Sequence, residues 1–140
     1  MKVLIDTNVI LDYALIRHPF YDLADSIFAL VEQKQIEGYV GASTFSDLFY
    51  ILRKPRNKWT LDFLRGLANL CQIVPVNSAI IEKALNKPYK DFEDDIQYYS
   101  AVSYNLDALV TRNSNDFLVD SIRILTPEQL LQEFENKIAE

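Results

Sequence analysis

Four aspartates stand where the chain leaves a predicted strand or enters a predicted helix: Asp6 in VLIDTN, Asp47 in STFSDLFY, Asp94 in DFEDDIQ and Asp116 in TRNSNDF. Carboxylates gathered in one place repel one another and raise one another's pKa unless a divalent cation neutralises them. Oxygen donors without cysteine or histidine suit Mg²⁺ or Mn²⁺ rather than zinc. The reaction open to one or two such ions is phosphodiester hydrolysis, in which a water is activated and the leaving oxygen stabilised. Each position also has a purely local explanation. Asp6 can cap the helix that follows it. Asp47 lies in the first turn of a helix predicted to start at Ser43 or Thr44, with capping-box spacing from Thr44, although Glu or Gln is the usual partner. In the acidic run, Asp91, Asp94 and Asp95 fall on one helix face and Glu93 points away, which also describes a solvated face. Asp116 can cap a short helix through Phe117 and Leu118. The elements around these residues decide between a shared site and four separate ones.

Short β-rich runs alternate with longer helical patterns. VLI (3–5), YVGAS (39–43), QIVPV (72–76), ALVT (108–111) and IRIL (122–125) read as strands. TNVILDYAL and FYDLADSIFALVEQ carry apolar residues at helical spacing, with Phe20, Leu23, Ile27, Leu30 and Val31 on one stripe and Pro19 in the first turn of the second helix. Further helices are predicted over STFSDLFYILRK (closed by Pro55), about 58–70, about 78–86, DFEDDIQYYSAVSYN and a terminal stretch opened by Pro127. Strands separated by helices indicate a parallel sheet covered on both faces. The expected fold is α/β, one domain over residues 1–140 with three α/β/α layers and a central parallel sheet of four to five strands. Such sheets bind ligands beyond the carboxyl ends of their strands, where strand order reverses. Asp6 immediately follows the first strand and Thr111 ends the fourth, so both belong to that rim.

Composition removes several alternatives. Only three glycines occur, at 38, 41 and 66, and none forms a phosphate-binding loop. Cys71 has no internal disulfide partner, and its apolar setting favours a reduced, buried thiol. His18 is the only histidine and is expected on a surface or loop. No long apolar run supports a signal peptide or membrane span, so a cytoplasmic protein is expected. The net charge is −6, yet residues 53–58, RKPRNK, hold four positive charges and no negative one. A basic knot on an acidic body suits local docking of a phosphate backbone, and equally suits a solvated helix end. Tyrosines at 98, 99 and 104, with Phe49 and Tyr50, offer base stacking, but their helical spacing favours core or dimer packing.

VLIDTNVILD, the acid in STFSDLFYIL, the block DFEDDIQYYSA and the closing LVTRNSNDF resemble, in order and spacing, the PIN-domain nucleases, many of them VapC-like toxins of bacterial toxin–antitoxin pairs. The likeness runs from residue 2 to about 126. It implies a three-layer α/β/α fold, an acidic site binding Mg²⁺ or Mn²⁺, cleavage of single-stranded RNA, an antitoxin protein as partner and a homodimer. It matches Asp6, Asp47, Asp94 and Asp116 to the family's four acids, and Thr7, Asn8, Thr111 and Asn113 to the polar residues around them. Two departures stand out: Asp47 replaces the usual Glu and is one methylene shorter, and Asn113 stands where many relatives have Asp. A depleted acid set would hold metal weakly and slow the reaction.

The mechanism expected from these residues has Asp6 and Asp94 as the principal metal ligands, with Asp116 and Asp47 completing the sphere directly or through water. Thr7, Asn8, Thr111 and Asn113 hold the carboxylates and the attacking water by hydrogen bonds. Arg17, Arg53, Lys54, Arg56, Lys58 and Arg112 are the candidates for contact with the RNA backbone. The alternative is a catalytically weak or inactive module of the same fold that binds RNA or a protein partner.

Overall fold

The computed structural model describes every residue except 56, 89–90, 113–121 and 140, and of residues 136–139 the backbone alone. Five strands, β1 (Lys2–Ile5), β2 (Glu37–Gly41), β3 (Gln72–Val74), β4 (Ala108–Val110) and β5 (Arg123–Leu125), form one all-parallel sheet in the order β3-β2-β1-β4-β5. The chain walks outward from β1 to β2 and β3, then returns to lay β4 against the other side of β1. Strand order therefore reverses between β1 and β4. The crevice beyond their carboxyl ends is the place such a sheet offers a ligand.

Side chains alternate across β1 and define two cores. Val3 and Ile5 join the cluster packed with α1 (Thr7–Ala14), α2 (Tyr21–Glu32), α3 (Ala42–Leu52), α4 (Asn57–Leu70) and α7 (Pro127–Ala139). Leu4 joins the opposite cluster, with α5 (Ser78–Asn86) and α6 (Phe92–Ser103). The helices thus form a layer on each face, and the expected α/β/α arrangement is what the chain adopts. Among the described residues no helix is long and apolar enough to cross a membrane.

Several boundaries differ from the sequence expectations, each for a local reason. β2 begins at Glu37 and yields to α3 at Ala42, because Gly41, in extended backbone, becomes the helix N-cap. α2 buries Ala24, Ile27, Phe28 and Val31, which keeps Ile27 and Val31 of the expected stripe and puts Ala24 and Phe28 in place of Phe20 and Leu23. Phe20 remains 38% exposed and receives the Arg112 guanidinium over its ring, 4.2 Å from the centroid. α2 starts at Tyr21, so Pro19 precedes the helix rather than occupying its first turn. Cys71 is buried as expected, and burial pushes its thiol up to about 12, which disfavours the thiolate at neutral pH. A side chain at Gly38 would meet its sulfur at 2.8 Å, so the absence of a Cβ there is what lets the strand and the thiol approach.

Candidate active site

Asp6 is set by the end of β1. Its backbone N–H donates to Val110 O at 2.9 Å, extending the β1–β4 ladder by one residue before α1 begins. Its carboxylate is 5% exposed and accepts from three sides. Gln97 Nε2 donates to Oδ1 at 2.5 Å, while the Asn8 backbone N–H at 3.3 Å and Thr111 Oγ1 at 3.4 Å donate to Oδ2. Asp6 is therefore the N-cap of α1, and the same carboxylate lines the crevice. Burial pushes its pKa above the ordinary carboxylate value; the hydrogen bonds from Gln97, the Asn8 and Thr7 backbone and Thr111 oppose that rise without cancelling it.

Asp47 comes from α3. Because that helix starts at Ala42, Asp47 stands in its second turn and not its first, and the capping explanation does not apply. Thr44, buried, shares a 2.9 Å hydroxyl–hydroxyl hydrogen bond with Thr7 instead, which ties α3 to the first turn of α1. Burial raises the Asp47 pKa as well.

Asp94 comes from α6. Asp91 caps that helix in extended backbone and its Oδ1 accepts from the Asp94 N–H at 2.9 Å. The acidic run divides differently from the expectation. Asp95 turns fully inward, Asp91 stays at the exposed cap, and Glu93 joins Asp94 toward the crevice. The reason is that α6 is buried continuously from Asp95 to Ala101, so the helix enters the fold at Asp95 and only its first turn faces out.

These three segments enclose a pocket of about 590 Å³ lined by Asp6, Thr7, Asn8, Thr44, Asp47, Glu93, Asp94 and Gln97, with Tyr50, Ile51 and Phe92 along its apolar side. Asp6, Asp47 and Asp94 therefore line the same pocket, with Thr7 and Asn8. Thr111 reaches the pocket through its bond to Asp6. Asn113, Asp116 and Arg56 lie outside the described residues.

The basic candidates separate. Lys54 and Lys58 are exposed around the turn between α3 and α4, and Arg53 stacks over Tyr50 at 4.6 Å from the ring centroid. Arg17 and Arg112 instead pair with the buried Asp12, at 2.9 Å and 3.2 Å. His18 lies against Tyr21, ring to ring, and does not line the pocket. Tyr98 and Tyr99 are core residues, whereas Tyr50 is 70% exposed at the pocket wall.

Sequence reasoning misses Gln97. The available signal is its spacing: three residues after Asp94 on a helix, it shares the face that carries the acid. Its Oε1 is buried without a hydrogen-bond partner among the described residues, so its amide is committed to Asp6 alone.

The donor chemistry fits a hydrated divalent cation of the Mg²⁺ or Mn²⁺ type. The groups facing the pocket are carboxylates, hydroxyls and amides, and Asp6 bears an anionic charge that burial disfavours and a cation would compensate. Among the described residues no three His, Cys, Asp or Glu side chains gather tightly enough to cage an ion.

The family profile described as PIN domain matches residues 2–115. The chain is 26% identical over 136 residues to Ribonuclease VapC1 of Aquifex aeolicus (strain VF5), covering 94% of each chain. Its fold is similar to a chain of the toxin–antitoxin complex from Klebsiella pneumoniae, with TM-score 0.66, 22% identity and 89% of this chain on 97% of that one. It is similar too to a chain of VapBC2 from Rickettsia felis bound to a promoter DNA fragment, with TM-score 0.65, 14% identity and 90% of this chain on 98% of that one. The profile match spans well over half of the sequence and includes β1, α3 and α6 with their acids, and on that ground the chain belongs to the PIN-domain family.

Proposed function

We propose that this protein is a divalent-cation-dependent endoribonuclease that cuts single-stranded RNA and serves as the toxin of a toxin–antitoxin pair. The observation that supports the reading is that Asp6, Asp47 and Asp94, from three separate elements, line one pocket at the strand-order reversal. The likeness to the Aquifex ribonuclease supports the activity, and the toxin–antitoxin complexes of the same fold support an antitoxin as partner.

Asp6 and Asp94 are the principal ligands in this reading, with Asp47 and Asp116 completing the set. A bound Mg²⁺ or Mn²⁺ supplies activation of a water and neutralisation of charge on the phosphate. The chain supplies the rest. Gln97, the Asn8 N–H and Thr111 hold both Asp6 oxygens in orientation before substrate arrives, and such preorganisation limits the rearrangement needed during reaction. The Thr7–Thr44 bond fixes the spacing between the segments carrying Asp6 and Asp47. Asn113 is assigned to the polar surround by its match to the family pattern alone. Attack by water on phosphorus leaves 5′-phosphate and 3′-hydroxyl ends, and Arg53, Lys54, Arg56 and Lys58 hold the flanking backbone without reading sequence.

A second reading, a module of this fold that binds RNA or a protein partner and cuts slowly or not at all, is favoured by the short Asp47 side chain, one methylene less than the Glu usual there. One experiment separates the two. Mn²⁺ titration followed by melting temperature should show stabilisation, and a single-stranded oligoribonucleotide should be cut with Mn²⁺ and spared with chelator. Asp6→Asn should abolish cleavage; a variant that still cuts refutes the assignment. Stabilisation without cleavage by the native protein selects the second reading.

A further inference from the structure

Asp12, six residues along α1 from Asp6, is a buried carboxylate that the proposed chemistry does not use. It is 1% exposed, and both of its oxygens are taken: Oδ1 by Arg17 Nε at 2.9 Å and Oδ2 by Arg112 Nε at 3.2 Å. Buried ion pairs of this kind are often no more stabilising than apolar side chains of similar volume, so their value lies in what they hold in place. Here each arginine is tied to a segment that touches Asp6. Arg17 Nη2 also donates to the carbonyl of Asn8 at 3.3 Å, and the N–H of that same Asn8 donates to Asp6. Arg112 directly follows Thr111, whose hydroxyl donates to the same Asp6 oxygen, and its guanidinium is steadied over the Phe20 ring. Starting from Asp12, one path runs through Arg17 to Asn8 and the other through Arg112 to Thr111. The two paths meet again at Asp6 Oδ2.

We propose that Asp12 is a positioning residue: with Arg17 and Arg112 it clamps the segment after β1 to the segment after β4 and so orients Asp6. The two arginines then serve the site from within, rather than the phosphates of the substrate. The consequence for catalysis rests on the nuclease reading, whereas the clamp itself does not.

The test uses the full chain with Asp12→Asn, and with Arg112→Lys as a second variant that keeps the charge and loses the planar guanidinium should the first fail to fold. Amide hydrogen exchange reports the clamp directly. Residues 6–8 and 111–112 should exchange about ten-fold faster in the variants, with β2 and β3 unchanged; equal exchange at those residues overturns the clamp whether or not the protein is a nuclease. In cleavage assays kcat should fall about ten-fold or more and the Mn²⁺ concentration at half-saturation should rise, as for other groups that orient metal ligands, with KM for RNA little changed. The opposite split in Arg112→Lys, a raised KM for RNA with intact kcat and Mn²⁺ half-saturation, makes Arg112 a phosphate-binding fork and overturns the proposal. Failure of the native protein to bind Mn²⁺ and to cut would sink the nuclease reading alone, and the exchange measurement would still decide the clamp.

Discussion

Asp6 holds a charge where burial disfavours one, and the pH dependence of stability should reveal that cost. A carboxyl whose folded pKa is raised binds its proton more tightly in the folded state. Its contribution is fully favourable below the ordinary carboxylate pKa and is lost as pH rises through the raised value. Without metal, Asp6→Asn should therefore melt higher than the native protein at neutral pH. The gap should shrink as pH falls toward the ordinary carboxylate pKa, and saturating Mn²⁺ should close or reverse it by stabilising the native protein only. A gap independent of pH would show that ionised Asp6 is not under strain. Gln97 tests the same carboxylate from the other side. Gln97→Met removes the 2.5 Å bond to Asp6 and also a buried Oε1 that has no partner among the described residues, two effects on stability that oppose each other. Its melting temperature should move little, while Mn²⁺ affinity and cleavage fall about ten-fold or more; a large fall in melting temperature with native Mn²⁺ affinity would make Gln97 structural. The contrast between these two residues shows what a sequence reveals at this scale. Asp6 is legible because a charge directly after an apolar strand has few explanations. Gln97 is neutral and Asp12 sits inside an apolar run, and what matters in each is a partner far along the chain.

Elements are easier to read than their ends. The five strands and seven helices among the described residues correspond to segments expected from periodicity, since a strand or helix that buries one side must repeat its apolar residues at period two or 3.6. The boundaries depend on caps that composition hides. Gly41 has no side chain to signal an N-cap, so α3 starts earlier than expected and Asp47 moves to the second turn. In α6 the cap is hard to single out, because Asp91 belongs to a run of acids any of which could have served. That cap matters for function, since it fixes where α6 begins and hence which acids face the pocket. Asp91→Ala should cost about 1 kcal/mol in chemical denaturation, as loss of a capping aspartate usually does, and Asp91→Asn should restore most of it. If alanine and asparagine behave alike, the Asp91 side chain is not the cap. Strand order is beyond reach as well: nothing in the run of strands dictates that β4 returns beside β1, which is the step that brings Thr111 to Asp6.

Across the whole molecule, charge is what must reconcile an acidic protein with the polyanionic substrate proposed for it. The net charge of −6 conceals a basic segment at 53–58, while the other 134 residues carry 10 basic and 20 acidic side chains. That segment joins α3 to α4, so it continues the helix that carries Asp47 toward the pocket. From Asp47 to Lys54 the helical rise amounts to roughly 10 Å, close enough for one strand of RNA to touch both. Charges at that distance from an acidic pocket would hold flanking phosphates while leaving the carboxylates free for a cation. The substitution pair Lys54→Gln and Lys58→Gln, both at exposed positions, tests this. Binding of a single-stranded oligoribonucleotide should weaken, and the slope of log affinity against log salt should become shallower by roughly 0.7 for each phosphate that is no longer neutralised. Cleavage at saturating RNA and the Mn²⁺ requirement should stay as they are, because neither lysine lines the pocket. An unchanged salt slope would return the segment to its simpler role, cations solvated at the end of a helix whose dipole they suit, and the RNA backbone would then have to be held elsewhere on the surface.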